Sequence, residues 1–238
     1  MSVLSGRDQQ ALLDYVTARY RSSGQPPDVV EALNQHNYRV LGHVDAIAEG
    51  EHLSTDDHEL LRTIAILHDV AKADTHLMLH ADVGSDVARE KLQELGKDEA
   101  FIATVENAIR CHLGPFPFIE EEAEKYAQRT GEHLHLPRPD TEIEWLFYDA
   151  DMLALMDIEG IEKVRVLRET TDDFVVEDEA TARKEGGTPR AAAYRSALQS
   201  VKRAADTLHS ATAKQIGEHL VDQARRHIDE RLSEEQTV

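Results

Sequence analysis

Residues 54–72 read STDDHELLRTIAILHDVAK, and the reading of this stretch decides the fold. Ser54-Thr55-Asp56-Asp57 carries the side-chain oxygens that cap a helix N-terminus. The apolar residues Leu60, Ile64, Leu67 and Ala71 then recur every three or four positions, the period of a helix buried on one side. The spacing predicts a helix to about Lys72, with His68 and Asp69 beside its apolar stripe. Asp69 adjoins His68, and an interior carboxylate is costly unless it is paired or binds a metal.

The same period continues outward in both directions. Towards the N-terminus, residues 8–21 read as a first helix, closed by Ser22-Ser23-Gly24-Gln25-Pro26-Pro27. A second starts near Asp28, with Val29, Leu33, His36, Val40, His43 and Ile47 on one face. Towards the C-terminus, a short connection carries His80. A fourth helix spans about Asp82 to Leu95 and ends at Gly96. A fifth, with stripe Phe101, Val105, Ala108 and His112, is stopped by Gly114-Pro115. Residues 120–129 read as a polar surface helix and 131–140, with two prolines, as a loop. Thr141 to about Asp157 is an apolar helix containing Asp149 and Asp151. The acidic stretch 169–187 reads as a mobile connection. Thr188-Pro189 then opens a helix as N-cap and first position, with stripe Tyr194, Leu198, Val201, Ala205 and Leu208. A last helix covers about Ala211 to Leu232. The expected class is all-α, with a core over 1–168 and a connection plus helical hairpin over 169–238. The hairpin packs on the same body or on a second copy, as a homodimer.

Composition agrees. Aromatics are only 5 % of the 238 residues, and Ala, Leu, Glu, Asp and Arg dominate. The net charge of −20, from 26 basic and 46 acidic side chains, repels a phosphate backbone, so a nucleic-acid polymer and an anionic membrane are both disfavoured as partners. A local basic pocket still suits a small phosphorylated substrate. The single cysteine, Cys111, excludes an intrachain disulfide framework. Residues 1–14 lack the apolar core of a signal peptide, and no apolar run approaches a membrane span, which together suggest a reducing, cytoplasmic compartment. The acid excess with few lysines also suggests a salt-rich cytoplasm.

His36, His68 and His112 each lie on or beside the apolar stripe of a different helix, and Asp151 lies inside an apolar one. One such histidine is usually a satisfied core residue. Three, with interior carboxylates, point to a shared metal, and imidazole with carboxylate suits Mn, Fe, Co, Ni or Zn, with Mg a further option. His43, one heptad after His36, and Asp149, two residues before Asp151, are competing ligands. His133, His135, His209, His219 and His227 read as solvated. No nucleophile elbow and no Gly-rich phosphate loop appear.

The elements His36-Asn37-Tyr38-Arg39-Val40, Ile66-Leu67-His68-Asp69-Val70-Ala71-Lys72 and Ala150-Asp151, in this order on helices, resemble the HD-domain superfamily of metal-dependent phosphohydrolases over roughly residues 30–160. The resemblance implies an HD-type helical bundle and a metal held by His36, His68, Asp69 and Asp151. It favours His36 over His43 through the Arg-Val that follows, and Asp151 over Asp149 through the preceding Ala. Leu79-His80-Ala81-Asp82-Val83-Gly84 and Ile109-Arg110-Cys111-His112 resemble the binuclear members, with His80 and His112 on a second ion and Asp69 bridging. Lys72 would then meet the phosphate or the nucleophile, and Arg39 and Arg110 are candidate phosphate contacts. Lys72 read blandly is a cation at a helix C-terminus, and either arginine a surface ion-pair partner. The implied activity is hydrolysis of a phosphoester or phosphoanhydride of a small metabolite or nucleotide by a metal-activated water. A di-iron oxygenase of the same superfamily would use the same ligands, and a non-catalytic binding module would have lost some. The HDVAK and LHADVG elements partly match the family that splits diadenosine tetraphosphate symmetrically, whereas the Gly-Tyr-Pro signature of cyclic-dinucleotide phosphodiesterases is absent. Residues 114–140 lie between two ligand helices and are expected to shape specificity.

Overall fold

The computed structural model describes residues 6–116, 119–162 and 188–235. Among them every regular element is helical. In chain order these are α1 (Gly6–Ser22), α2 (Pro27–Gly50), α3 (Thr55–Leu67), α4 (His80–Glu94), α5 (Glu99–Cys111), α6 (Ile119–Thr130), α7 (Glu142–Met156), α8 (Pro189–Thr207) and α9 (Ala211–Glu235), with a short helical stretch over 158–162. None is long and apolar enough to cross a membrane. The expected all-α class is what the chain adopts. The acidic connection 169–187, and the boundary expected at 168, lie outside the described residues.

The chain divides into two compact units, 1–151 and 152–238, the division falling within α7. In the first, α2 packs on α3, α1 on both, and α5 on α3 and α4. Leu60, Ile64, Leu67, Ala71, Phe101, Val105 and Ala108 are all buried, as their spacing predicts. The α2 stripe starts one residue later than expected. Val30 is buried and Val29 exposed, because the buried line runs Val30, Leu33, His36–Asn37, Val40, Val44 and Ile47, and His43 falls at its edge, half-buried. In the second unit α8 pairs with α9, and Tyr194, Ala197, Val201, Ala204 and Leu208 form the buried line of α8. Leu198 and Ala205, on the expected stripe, are only half-buried.

The helix ends follow local chemistry. Ser54, Asp98 and Thr188 each accept a hydrogen bond from the backbone N–H three residues on, capping α3, α5 and α8. Gly96, at φ +68°, ends α4: its N–H donates to the Gln93 carbonyl while that of Lys97 donates to Leu92, the pairing of a Schellman motif. Two boundaries differ from expectation. Helix α3 stops at Leu67, not Lys72, and residues 68–74 continue as successive turns; α4 begins at His80 itself, two residues before Asp82. Apolar spacing does not distinguish a turn from a helix when both bury the same side chains.

Candidate metal centre

Six residues from five segments converge inside the first unit. His36 comes from α2, His68 and Asp69 from the turn after α3, His80 from the first residue of α4, His112 from the end of α5 and Asp151 from α7. His68, Asp69 and His80 are 0 % exposed, His112 1 %, His36 2 % and Asp151 5 %. His36, His68 and Asp69 offer ligand atoms within 4.8 Å of one another, and so do Asp69, His80 and His112. Asp151 Oδ1 joins the first set, 3.1 Å from His36 Nε2 and 3.8 Å from His68 Nε2.

The imidazoles are oriented by their own neighbours. Nδ1 of His68 lies 2.8 Å from the Ala65 carbonyl, that of His80 2.5 Å from Leu77, and that of His112 2.5 Å from Ile109. A carbonyl can only accept, so each Nδ1 is the donor and each Nε2 is turned inward. His68 and His112 sit at helix C-termini, where unpaired carbonyls are plentiful. This is the outer hydrogen bond that metal-ligating histidines characteristically make.

Inside the cluster, ring nitrogen faces ring nitrogen. Nε2 of His68 lies 3.3 Å from Nε2 of His36, and Nε2 of His80 lies 3.2 Å from that of His112. Asp69 divides its carboxylate between the sets. Oδ2 is 3.3 Å from His68 and 3.5 Å from His36, whereas Oδ1 is 3.1 Å from His80. Oδ1 is buried and makes no hydrogen bond of acceptable geometry. Ring nitrogens and carboxylate oxygens this close need a proton or a cation among them, and nitrogen with carboxylate oxygen suits first-row divalent ions. The residues present fit the group that the sequence resemblance implies.

Burial pushes His36 down to about 4, against the pull of Asp151 and Asp69. His112 falls to about 3, through burial and then the charge of His80. Burial also acts to lower His68, but the Asp69 carboxylate outweighs it and the net direction is up. Asp69 and Asp151 are each held below the usual carboxylate range. Burial opposes this in both; His68 and Lys72 overcome it at Asp69, and His36 and His68 at Asp151. Lys72, 27 % exposed, places Nζ 2.6 Å from Asp69 Oδ2 and is the cation at the edge of the first set.

The other residues singled out in the sequence fall elsewhere. His43 is half-buried and is lowered to about 4 by burial and by Arg39, which sits beside it; it belongs to neither ligand set. Asp149 is fully buried but is likewise in neither set. Arg110 directs its guanidinium to Ser85, Glu106, Asp86 and Asp82, joining α5 to α4. Cys111 is buried and its thiol is pushed up to about 12, so it is no nucleophile. Four of the five histidines expected to be solvated are exposed. His227 is not: its side chain is 13 % exposed and pairs with Glu162 at 2.7 Å. Of residues 114–140, the described 114–116 and 119–140 fold onto the segments that carry the second set. Ile119 and Tyr126 of α6 form a small core with Met78, flanked by Leu79, Leu113, Leu134 and Leu136. The 131–140 loop is seated so closely that a Cβ at Gly114 would stand 1.9 Å from the Pro137 carbonyl oxygen.

Sequence reading missed Tyr20. It follows Leu12 and Val16 on the buried face of α1 and reads as core, yet its hydroxyl donates to the Asp69 backbone carbonyl at 3.0 Å. Burial, and then the Asp69 charge, raises the phenol well above its ordinary value, so it stays a neutral donor. Spacing shows that a tyrosine is buried, not where its oxygen goes.

Among known proteins, the chain is similar to a predicted HD superfamily hydrolase from an uncultured Thermotogales bacterium, known from its crystal structure. The two superpose with a TM-score of 0.57 at 19 % identity, over 94 % of this chain and 91 % of that one. At this identity the likeness bears on the fold. No curated protein matches the chain. The HD-domain family model matches residues 33–156, a span that contains all six clustered residues and more than half of the sequence, and the chain belongs to the HD-domain family.

Proposed function

We propose that the chain is a metal-dependent phosphohydrolase with a two-ion centre, acting on a phosphoester or phosphoanhydride of a small metabolite or nucleotide. The observation that carries this reading is the division of Asp69, one carboxylate oxygen towards His36 and His68 and the other towards His80. His36, His68, Asp69 and Asp151 would hold one ion, and Asp69, His80 and His112 the other. Divalent ions bound there would supply Lewis acidity, lowering the pKa of water towards ~7 and balancing charge on a phosphoryl group.

The chain's own residues do the rest. Asp69 and Asp151 bring negative charge to a buried site, and the neutral imidazoles His36 and His112 add donors without adding charge. Lys72 keeps part of its side chain in solvent while its ammonium lies against Asp69, so it would be the cation that meets a phosphoryl oxygen. Arg39 and Arg110 are the two arginine candidates for a phosphate contact, and Arg110 already shares its guanidinium with Asp82, Asp86 and Glu106. The net charge of −20 supports a small substrate over a nucleic-acid polymer.

The test combines metal analysis of the protein, purified without chelator, with a screen of phosphorylated metabolites in Mn, Fe, Co, Ni, Mg and Zn. Metal bound and phosphate released are expected, and Asp69→Ala should abolish both. Turnover retained in that variant would overturn the reading. Oxygen uptake by the iron-loaded protein, without phosphate release, would replace it with oxygenase chemistry on the same ligands.

A further inference from the structure

We infer that α1, which lies outside the span matched by the family model, is the brace of the ligand turn, with Tyr20 its positioning residue. The inference rests on the metal-centre reading above.

Asp69 stands on a run of turns, not in a helix. The backbone bonds within that run are local: Val70 N–H to Leu67, Lys72 N–H to Asp69 and Asp74 N–H to Ala71. Such a run has no ladder to fix its peptide planes, yet both oxygens of Asp69 must be aimed at once. A small rotation at residue 69 would take one of them off its partners. A misplacement of about 1 Å at a reacting centre costs on the order of a hundredfold.

Residues 19–25 supply the missing constraint from outside. Tyr20, 0 % exposed, donates its hydroxyl to the Asp69 carbonyl at 3.0 Å, the same oxygen that accepts Lys72 N–H at 2.8 Å. Gln25 Nε2 donates to the Ala73 carbonyl at 2.9 Å, and Arg19 pairs with Asp74 at 2.8 Å. The start and the end of the turn are both tied to one short stretch of chain. Asn37 Nδ2 also reaches the Tyr20 oxygen, at 3.5 Å, and Asn37 directly follows the ligand His36. One hydroxyl therefore connects the backbone of the shared carboxylate with the helix that carries His36. Packing alone would be served as well by phenylalanine; the bond to Asp69 would not.

The experiment is a Co(II) titration of the full chain, followed by calorimetry and by the visible absorption of the bound ion, for the wild type, Tyr20→Phe and Gln25→Ala. Outer hydrogen bonds of metal ligands are worth about ten- to a hundredfold in affinity, so Tyr20→Phe should bind Co(II) at least about tenfold more weakly and with a shifted spectrum. Gln25→Ala, on an exposed residue, should weaken binding to a smaller extent. Wild-type affinity and spectrum in Tyr20→Phe would overturn the brace while leaving the metal centre standing. No Co(II) uptake by the wild type would overturn the metal centre and the brace with it. If Tyr20→Phe fails to fold, Gln25→Ala decides: weakened binding supports the brace and unchanged binding removes it.

Discussion

The two ligand sets share Asp69 but little else. The first adds a second carboxylate, Asp151, and borders solvent through Lys72. The second has two imidazoles and a single carboxylate oxygen, and its histidines are 0 % and 1 % exposed. A divalent ion is best offset where two anions converge, so the first set should hold its ion more tightly. The second depends on Asp69 being aimed already. Geometry gives both sets donors; charge ranks them.

Removing one ligand from each set would break or sharpen this ranking most directly. Asp151→Asn should lose the first ion and cut turnover by about a thousandfold, ~4 kcal/mol of barrier. His112→Ala should keep the first ion, lose the second and cut turnover by a smaller factor. Metal content after dialysis against graded chelator checks both. Loss of both ions in parallel in the wild type would erase the distinction.

Acid supplies the next test. His36 and His112 are lowered in the folded chain, to about 4 and about 3, from an ordinary value of 6.5. Between those values and 6.5 the unfolded chain binds more protons, so stability of the metal-free protein rises with pH over that window and falls on acidification. Asp69 and Asp151, also lowered, extend the loss below their ordinary value of 3.8. His68, raised, acts oppositely and gives up its contribution as pH climbs past its folded value. Urea midpoints at pH 4, 5, 6 and 7 should increase up to about 6.5, and His112→Leu should flatten the rise. A midpoint independent of pH across this range would contradict the buried, neutral state of both imidazoles.

The smallest effect is expected at Cys111, which adjoins His112 yet belongs to neither set. With its thiol buried and pushed up to about 12, it should resist alkylation at pH 8, and Cys111→Ala should change turnover by less than about twofold. Rapid loss of activity on alkylation would bring it into the second set after all.

Much of this arrangement was legible in the sequence. Period and caps located the helices, because apolar spacing and short polar side chains act locally. The His68-Asp69 pair stood out because a charge on an apolar stripe needs a reason. His112 stood out with His36 and His68 as a histidine on an apolar stripe, whereas His80, and the assignment of both to a second ion, required the family resemblance, since alone His80 reads as a residue before a helix. The end of α3 at Leu67 was not readable, because Leu67, Val70 and Ala71 are buried whether the backbone is helical or turned. Tyr20 and Gln25 were invisible for another reason: their partners are backbone carbonyls some 50 residues away, 49 for Tyr20 and 48 for Gln25, and a carbonyl has no letter in the sequence.

The carbonyls that receive the three Nδ1 protons, at Ala65, Leu77 and Ile109, each lie three positions before their histidine. Ring direction is thus set within tetrapeptides, by the stretch of chain next to each histidine and not by a distant partner. A change that displaced one of these carbonyls would turn one imidazole and leave the other two aimed as before.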